Sequence, residues 1–298
     1  MVPEAEFQSY YGKPILAEPA WKVPDVPAYL YLGGLAGASA SMAGLADATG
    51  LAALRRAGRL AAAAAALASV GALVHDLGRP TRFLNMLRVL RPTSPLSVGS
   101  WILAPFSGLA SATAVSELTG VLPGLAHVSG GASAVLGPAM STYTAVLLAD
   151  TAVPSWHEAY PELPFVFAGS ALGSAGGMGM VATPVDDAGP ARRMALAGSA
   201  LELAASRRIE SRLGLLAEPY RSGRAGALLR AGKALTATGA LGTVLLGRRS
   251  RAASVVSGLL VNGGALATRF GIFEAGVAST RDPKYVVVPQ RERLLRKG

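Results

Sequence analysis

The sequence predicts an all-α integral membrane protein with about eight transmembrane helices. Apolar residues make up 51% of the 298 residues and charged residues only 15%, whereas a soluble domain usually contains about 25% charged residues. The mean hydropathy is +0.39. Alanine and glycine are also abundant, and these small residues allow helices to pack closely in lipid.

Eight stretches approach the roughly 20 apolar residues that a helix needs to cross a bilayer. They are residues 26–46, 58–77, 96–116, 126–149, 163–182, 191–206, 225–246 and 252–277. Residues 60–74 and 254–268 contain no charge, which argues against amphipathic helices of a soluble protein. The sixth stretch is short and contains Glu202, and Arg230 and Lys233 interrupt the seventh. Seven helices is therefore the main alternative.

The charge pattern predicts a lipid bilayer as partner and no nucleic acid. The net charge is +10, and the arginines form short clusters between the apolar stretches. Such clusters set membrane topology and bind anionic lipid heads. The absence of cysteine excludes disulfides, thiolate zinc sites and iron–sulfur clusters held by this chain.

The charges of the loops predict the membrane topology. With eight helices, both termini share one side with 17 basic residues, against 8 on the other. The positive-inside rule then predicts a multi-pass protein of the cell membrane with both termini in the cytoplasm.

We expect an N-terminal arm at 1–25, a membrane domain at 26–277 and a polar tail at 278–298. The β-prone run at 285–288 could add a strand to a partner's sheet, with disorder of the tail as the alternative.

The most informative segment connects the second and third predicted helices. Residues 75–88 are HDLGRPTRFLNMLR, and residues 91–101 are RPTSPLSVGSW. Gly78 and Pro80 end the second helix, residues 81–90 predict a short interfacial helix, and Ser94-Pro95 begins the third. The segment resembles the polysulfide-reductase membrane-subunit family, often called NrfD-like, which has DLGRP-RF-NMLR followed by P-SPLS-G-W at this spacing. Two further stretches, 28–37 and 143–156, are similar to that family's first-helix opening and fourth-helix ending.

The resemblance implies an eight-helix fold in two four-helix bundles. The quinone-reactive bundle would span roughly 26–150 and the second bundle roughly 163–277. The implied cofactor is a quinone (menaquinone or ubiquinone), and the implied partners are a four-cluster iron–sulfur subunit and a molybdenum or tungsten catalytic subunit. We expect no haem and no metal on this chain, because His75 and His127 would lie at opposite membrane faces and His157 in a loop.

The candidate site lies where the first helix begins and the second and fourth helices end. Those ends bring together Lys22, Asp25, Tyr29, His75, Asp76, Arg79, Tyr143, Asp150 and Trp156. A quinone needs hydrogen bonds at its carbonyl oxygens and a proton carrier. We therefore predict His75, Asp76 and Tyr143 as catalytic groups, with Asp76 orienting or reprotonating the imidazole. The predicted quinone contacts are Tyr29, His75, Arg79, Tyr143 and Trp156, of which Tyr143 is favoured by the resemblance.

Each assignment has a structural alternative. Asp76 could instead pair with Arg79 or Arg82, and Tyr29 and Trp156 also fit the interfacial aromatic belt. Ionisable residues within membrane helices are costly and usually functional, so Glu202, Arg269 and Glu274 are candidates for a proton route. A structural ion pair between Glu202 and Arg269 is the alternative. A further set, Arg82, Arg88 and Arg91, is predicted to dock the partner.

The sequence thus favours a membrane anchor that exchanges electrons and protons between a quinone pool and an iron–sulfur partner. One rival is a secondary transporter, which would have inverted repeats and broken midplane helices. The glycine-rich residues 173–179 are the only candidate for such a break. The other rival is a structural anchor without a working quinone site.

Overall fold

The structure is a computed structural model that describes residues 15–295. Within this range it contains twelve α-helices, one 3₁₀ helix and no strand. Residues 1–14 of the predicted N-terminal arm and residues 296–298 of the predicted tail lie outside the described residues.

Eight of the helices have 20 or more residues. They are α1 (Asp25–Ala48), α2 (Ala52–Asp76), α4 (Pro95–Thr119), α5 (Pro123–Ala149), α7 (Leu163–Ala182), α8 (Gly189–Arg212), α10 (Gly223–Leu245) and α11 (Arg251–Arg281). Each predicted apolar stretch coincides with one of them to within six residues at either end. The short elements are α3 (Thr81–Met86), α6 (Pro154–Glu158), a 3₁₀ helix (Gly214–Ala217), α9 (Glu218–Arg221) and α12 (Lys284–Leu295).

Five of the long helices, namely α2, α4, α5, α7 and α11, are apolar and long enough to cross a membrane. The other three long helices, α1, α8 and α10, do not combine sufficient hydropathy with few enough charged residues. Several arginines lower the hydropathy of α8 and α10, and α1 is rich in glycine, alanine and serine. Length and composition alone therefore identify five candidate spans in the described part of the chain.

The helix boundaries around the informative segment agree with its turn residues. After α2 ends at Asp76, Gly78 adopts a φ of +69°, a left-handed conformation that suits glycine. The Ser94 side chain accepts a hydrogen bond from the Ser97 backbone N–H and caps α4, which begins at Pro95. The predicted interfacial helix is α3, although it ends at Met86 rather than near residue 90.

The long helices run up and down, so their connections lie at two ends. At one end, called the His75 end, α1 begins, α2 ends, and α3, α6, α9 and α12 are found. At the other, called the Arg59 end, short loops join α1 to α2, α4 to α5, α7 to α8 and α10 to α11. The α1, α2, α4 and α5 helices pack on one another, as do α7, α8, α10 and α11. The α1–α7 contact is the main link between these two sets.

Glycines allow the closest helix contacts. A Cβ on Gly37 of α1 would lie 2.4 Å from the Gly137 carbonyl oxygen of α5, and one on Gly198 of α8 would lie 2.2 Å from the Gly173 nitrogen of α7. These distances are too short for any side chain, so the glycines are required for packing. The run at residues 173–179 is part of continuous helix in α7, and the break that a transporter would need there is absent.

The C-terminal segment differs from the prediction. Residues 285–288 are helical within α12, so the prediction of an added strand is wrong. Asp282 explains the difference, because its side chain accepts a hydrogen bond from the Lys284 N–H (2.9 Å) at the start of α12. Tyr285 then packs on the core and is only 7% exposed. In addition, α11 continues to Arg281, beyond the predicted limit of the membrane domain.

The described part of the N-terminal arm is attached to the end of α11. Glu18 and Arg281 form an ion pair with a nitrogen–oxygen distance of 2.8 Å. The hydrogen bond from the Arg281 guanidinium lowers the pKa of Glu18 below its ordinary value. Trp21 stacks on Trp156 with the ring centroids 5.8 Å apart. Residues 15–24 therefore cover the His75 end of the molecule rather than projecting from it.

Candidate functional site

Two buried tyrosines face each other inside the first set of helices. The hydroxyl groups of Tyr29 on α1 and Tyr143 on α5 are hydrogen-bonded to each other, and the side chains are 5% and 8% exposed. The rings pack edge to face with centroids 6.5 Å apart. Gly99 of α4 leaves the space for the Tyr143 ring, since a Cβ there would lie 2.5 Å from its Cε2 atom.

This tyrosine pair has hydrogen-bonding capacity left over. When one hydroxyl donates to the other, the accepting hydroxyl still has its own hydrogen. No other residue between 15 and 295 forms a hydrogen bond with either hydroxyl. One buried O–H is therefore free to donate to an acceptor such as a quinone carbonyl oxygen.

His75 lies near this pair but has a different partner from the predicted one. Its Nδ1 atom is 2.7 Å from Oδ2 of Asp25, and its side chain is 77% exposed. Asp76 instead accepts a hydrogen bond from the Lys22 backbone N–H (2.8 Å). The expectation that Asp76 orients the imidazole is therefore wrong, because consecutive residues of a helix point in different directions. Asp76 also forms no ion pair with the nearby arginines, and its observed role is to fix the start of α1.

Asp25 connects the exposed histidine to the buried tyrosines. It precedes Tyr29 by one helical turn, or about 6 Å along α1, and the two side chains share a face. Its side chain is 14% exposed. His75, Asp25, Tyr29 and Tyr143 therefore form a series from the surface to the interior. Asp25 was expected near the site without an assigned role, although its four-residue spacing from Tyr29 is a feature of the sequence.

Trp156 is a packing residue in this structure. It is fully buried, and its Nε1–H donates to the Ile272 carbonyl oxygen at 2.8 Å. Phe273 packs on it with the ring centroids 5.5 Å apart. A Cβ at Gly276 would lie 1.9 Å from the indole, so α11 needs glycine there. Since its only polar group is already bonded, Trp156 has no donor left for the predicted quinone contact.

The connection between α2 and α4 exposes the predicted docking residues. The side chains of Arg79, Arg82, Arg88 and Arg91 are all exposed at the His75 end. Three apolar residues of the same connection, Leu84, Val89 and Leu90, are 65%, 61% and 51% exposed. Arg79 has no contact with the tyrosine pair that would support the predicted quinone contact. This segment, called the arginine loop (residues 79–91), combines positive charge with apolar surface.

The predicted proton-route residues occupy two separate places. Glu202 of α8 and Arg269 of α11 are 2% and 1% exposed, but no ion pair joins these two described residues. Arg269 donates to the Phe167 carbonyl oxygen (2.8 Å) and stacks on the Phe167 ring. The Oε2 atom of Glu202 and the Nη1 atom of Arg269 have no partner within the described chain. Glu274 lies apart from them, 3.7 Å from Arg224 near the His75 end.

An ionic cluster at the Arg59 end was missed by the sequence analysis, which treated its arginines as loop residues. Arg59 is 5% exposed and contacts Glu117 (2.7 Å) and Asp47 (3.0 Å), while Arg55 contacts the same two carboxylates. His127 also contacts Asp47. The cluster joins the ends of α1, α2, α4 and α5. No periodic pattern reveals it, because its members are up to 80 residues apart.

The two helix-end histidines are far apart, as the sequence predicts. His75 contacts the first residue of α1 and His127 contacts Asp47, near its last residue. The 22 residues between these contacts correspond to about 33 Å of helix. The two histidines cannot be the axial ligands of one haem. Between residues 15 and 295 there is also no group of three or more side chains that could hold a metal ion.

Comparison with protein-family models identifies a family. A family model described as polysulphide reductase, NrfD, matches residues 17–188, more than half of the chain. The matched range contains α1 to α7 and therefore the tyrosine pair, His75 and the arginine loop. The search of curated proteins finds no match.

Proposed function

Because the chain belongs to the polysulphide reductase NrfD family, whose members are membrane subunits of oxidoreductase complexes, we propose that it exchanges electrons and protons between a membrane quinone and an iron–sulfur partner. The quinone is the substrate of this subunit. The reaction of the whole complex would be completed by a molybdenum- or tungsten-dependent catalytic subunit.

The free O–H of the tyrosine pair carries this proposal. A quinone carbonyl oxygen accepts hydrogen bonds, and its oxygen gains negative charge as the ring is reduced. A buried hydroxyl donor would stabilise that charge in a site with little competing water. Tyr143 and Tyr29 are therefore the proposed quinone-contacting groups of this chain.

The His75–Asp25 pair fits proton exchange at the same site. Reduction of a quinone to a quinol takes up two electrons and two protons, and oxidation releases them. The exposed imidazole is in contact with water and can carry a proton, and the Asp25 carboxylate holds it beside the start of α1. Protons would pass between this pair and the tyrosines one turn further along α1.

The arginine loop is the proposed docking surface for the iron–sulfur partner. Electrons must enter or leave close to the tyrosine pair, and the loop lies at the same end of the molecule. Its exposed arginines would steer and orient an acidic partner surface. Its exposed apolar side chains, such as Leu84, are of the kind that partner interfaces cover.

We also propose that all eight long helices cross the cell membrane as two four-helix bundles. Each has 20 or more residues, which is enough to span a bilayer. The packing of α1, α2, α4 and α5 on one another, and of α7, α8, α10 and α11 on one another, supports this division. The less apolar helices, α8 and α10, would then owe their insertion to packing and to arginines near their ends.

The test replaces Tyr143 by Phe in the assembled complex. The substitution removes the hydroxyl and keeps the ring, so we expect quinone-dependent turnover to fall roughly 100-fold or more. Partner co-purification should stay unchanged. Asp25→Asn should lower turnover by a similar factor, since the amide cannot accept a proton. Exposed Tyr160→Phe, which lies at the same end, is the matched control.

The outcomes separate the rival functions. Unchanged quinone turnover in Tyr143→Phe, with an intact complex, would contradict the proposal and favour a structural anchor. Purification of the chain without any redox partner would favour a transporter.

A further inference from the structure

A groove of about 710 Å³ runs along the outer face of α2, between α1 and α7. Its floor consists of alanines spaced three or four residues apart on α2, at positions 53, 57, 61, 64 and 68. Leu35 of α1 and Met178 of α7 contribute to its walls. The short alanine side chains leave the groove open toward the surrounding lipid. It lies at the contact between the two sets of helices.

The dimensions of the groove match a lipid chain. The helix rises about 22 Å from Ala53 to Ala68, and one leaflet of the hydrocarbon core is about 15 Å thick. The groove therefore reaches from the membrane surface at the Arg59 end to beyond the bilayer centre. A single extended acyl chain could lie along it over the full depth of one leaflet.

Arg56 is the one polar residue among those lining the groove. It lies in the second turn of α2, at the depth of lipid headgroups. Its neighbours Arg55 and Arg59 are bound to Asp47 and Glu117, whereas Arg56 is exposed and forms no hydrogen bond or ion pair with any described residue. A positive charge thus stands beside one end of an apolar channel.

We propose that this groove binds a phospholipid with an anionic headgroup. One acyl chain lies against the alanine face of α2, and Arg56 pairs with the headgroup phosphate, whose negative charge is not neutralised by a cationic group such as choline. The charge distinguishes this ligand from two others. A quinone tail is uncharged and leaves Arg56 without a partner, and an apolar helix packed there would bury the guanidinium unpaired, which is costly.

The lipid would bridge the two sets of helices. It contacts α1 and α2 on one side and α7 on the other, next to the α1–α7 contact that joins the sets. A ligand that binds only this folded arrangement stabilises it. The inference requires the membrane location of the chain but is independent of the quinone reaction.

The experiment is native mass spectrometry of the detergent-purified, delipidated full-length protein or its complex, titrated with phosphatidylglycerol or phosphatidylcholine. We expect wild type to retain phosphatidylglycerol preferentially. Arg56→Gln should lower its occupancy about fivefold, the factor that corresponds to about 1 kcal/mol for one basic side chain at a lipid surface. Ala64→Leu fills the groove and should lower the occupancy of both lipids.

Two substitutions outside the groove serve as controls. Arg193→Gln removes an exposed arginine at the same end, and Ala197→Leu enlarges an exposed alanine on α8. Neither should change lipid retention. Equal binding of both lipids by wild type, or full phosphatidylglycerol retention in Arg56→Gln, would overturn the proposal. Unchanged occupancy of both lipids in a folded Ala64→Leu variant would overturn it as well. If Ala64→Leu fails to fold, the Arg56→Gln comparison decides alone.

Discussion

At the scale of single residues, both sets of helices contain buried polar atoms without a partner in the described chain. The hydroxyls of Tyr29 and Tyr143 bond to each other, which leaves one buried O–H free to donate. In the second set, Glu202 and Arg269 are the ionisable residues that have such an atom. Such atoms usually bond to internal water. We therefore infer a hydrated pocket around Glu202 that would serve proton transfer.

Glu202→Gln tests this role against a structural one. Since no direct ion pair with Arg269 is present, we expect the isosteric amide to change the melting temperature of the complex by no more than a few degrees. Quinone-coupled proton uptake into vesicles should fall, because the amide cannot carry a proton. A large loss of thermal stability would indicate a buried ion pair. Unchanged turnover, proton uptake and assembly would reject the proton role.

At the scale of elements, α2 carries different chemistry at its two ends. Its last turn presents His75 to Asp25, and its second and third turns insert Arg55 and Arg59 between carboxylates of α1 and α4. The alanine run between them provides the close packing that a small-residue helix permits. The proposed proton-exchanging end and the ionic cluster thus belong to the same helix.

Arg59→Met tests the ionic cluster. The substitution leaves Asp47 and Glu117 largely buried without their strongest partner, so we expect a loss of about 2 kcal/mol or more in stability. Thermal denaturation in detergent measures it, with Arg193→Met as the control for an exposed arginine at the same end. Adding Asp47→Asn and Glu117→Gln should restore part of the loss. Equal melting temperatures for both single variants would show that the cluster contributes nothing.

The arginine loop gives a second prediction at this scale. Reversing the charge at Arg82, Arg88 and Arg91 to Glu should reduce co-purification of the iron–sulfur partner, most strongly at low salt. The same reversal at Arg193, Arg248 and Arg249, at the opposite end, should leave partner binding intact. If both triple variants lose the partner equally, the arginine loop is not the docking surface.

At the scale of the whole molecule, α1 and α7 decide how the two sets of helices meet. Both have small residues at their contact, such as Gly34 and Ala171, where a Cβ on the glycine would lie 3.3 Å from the alanine Cβ. The proposed lipid groove runs beside this contact.

The proposed eight crossings make a topological prediction. An even number would put both termini on one side of the membrane, and the loop charges predict that this side is the cytoplasm. At a fusion point after residue 298, we therefore expect activity from a reporter that works in the cytoplasm and none from a reporter that works outside the membrane. In the loop at residues 183–188, we expect the reverse. Activity of both reporters on the same side would contradict eight crossings.

Local sequence features predicted the parts of this protein that depend on neighbouring residues. The long helices follow from apolar runs of about 20 residues, and the ends of α2 and α4 follow from Gly78 and Ser94. The exposed arginine loop follows from its charge between two helices. Tyr143 was selected through the resemblance of the surrounding motif, and its role stays a prediction until the Phe variant is measured.

The partners of the functional side chains were decided only by the tertiary structure. His75 selects Asp25, which is 50 residues away, rather than the adjacent Asp76, and the indole of Trp156 is bonded to Ile272, 116 residues further along the chain. Apolar runs and turn residues act locally, so the sequence determined the helices and their ends. Which side chains meet depends on helix rotation and on glycine-mediated contacts such as Gly37 with Gly137, and these arise only when all the helices pack together.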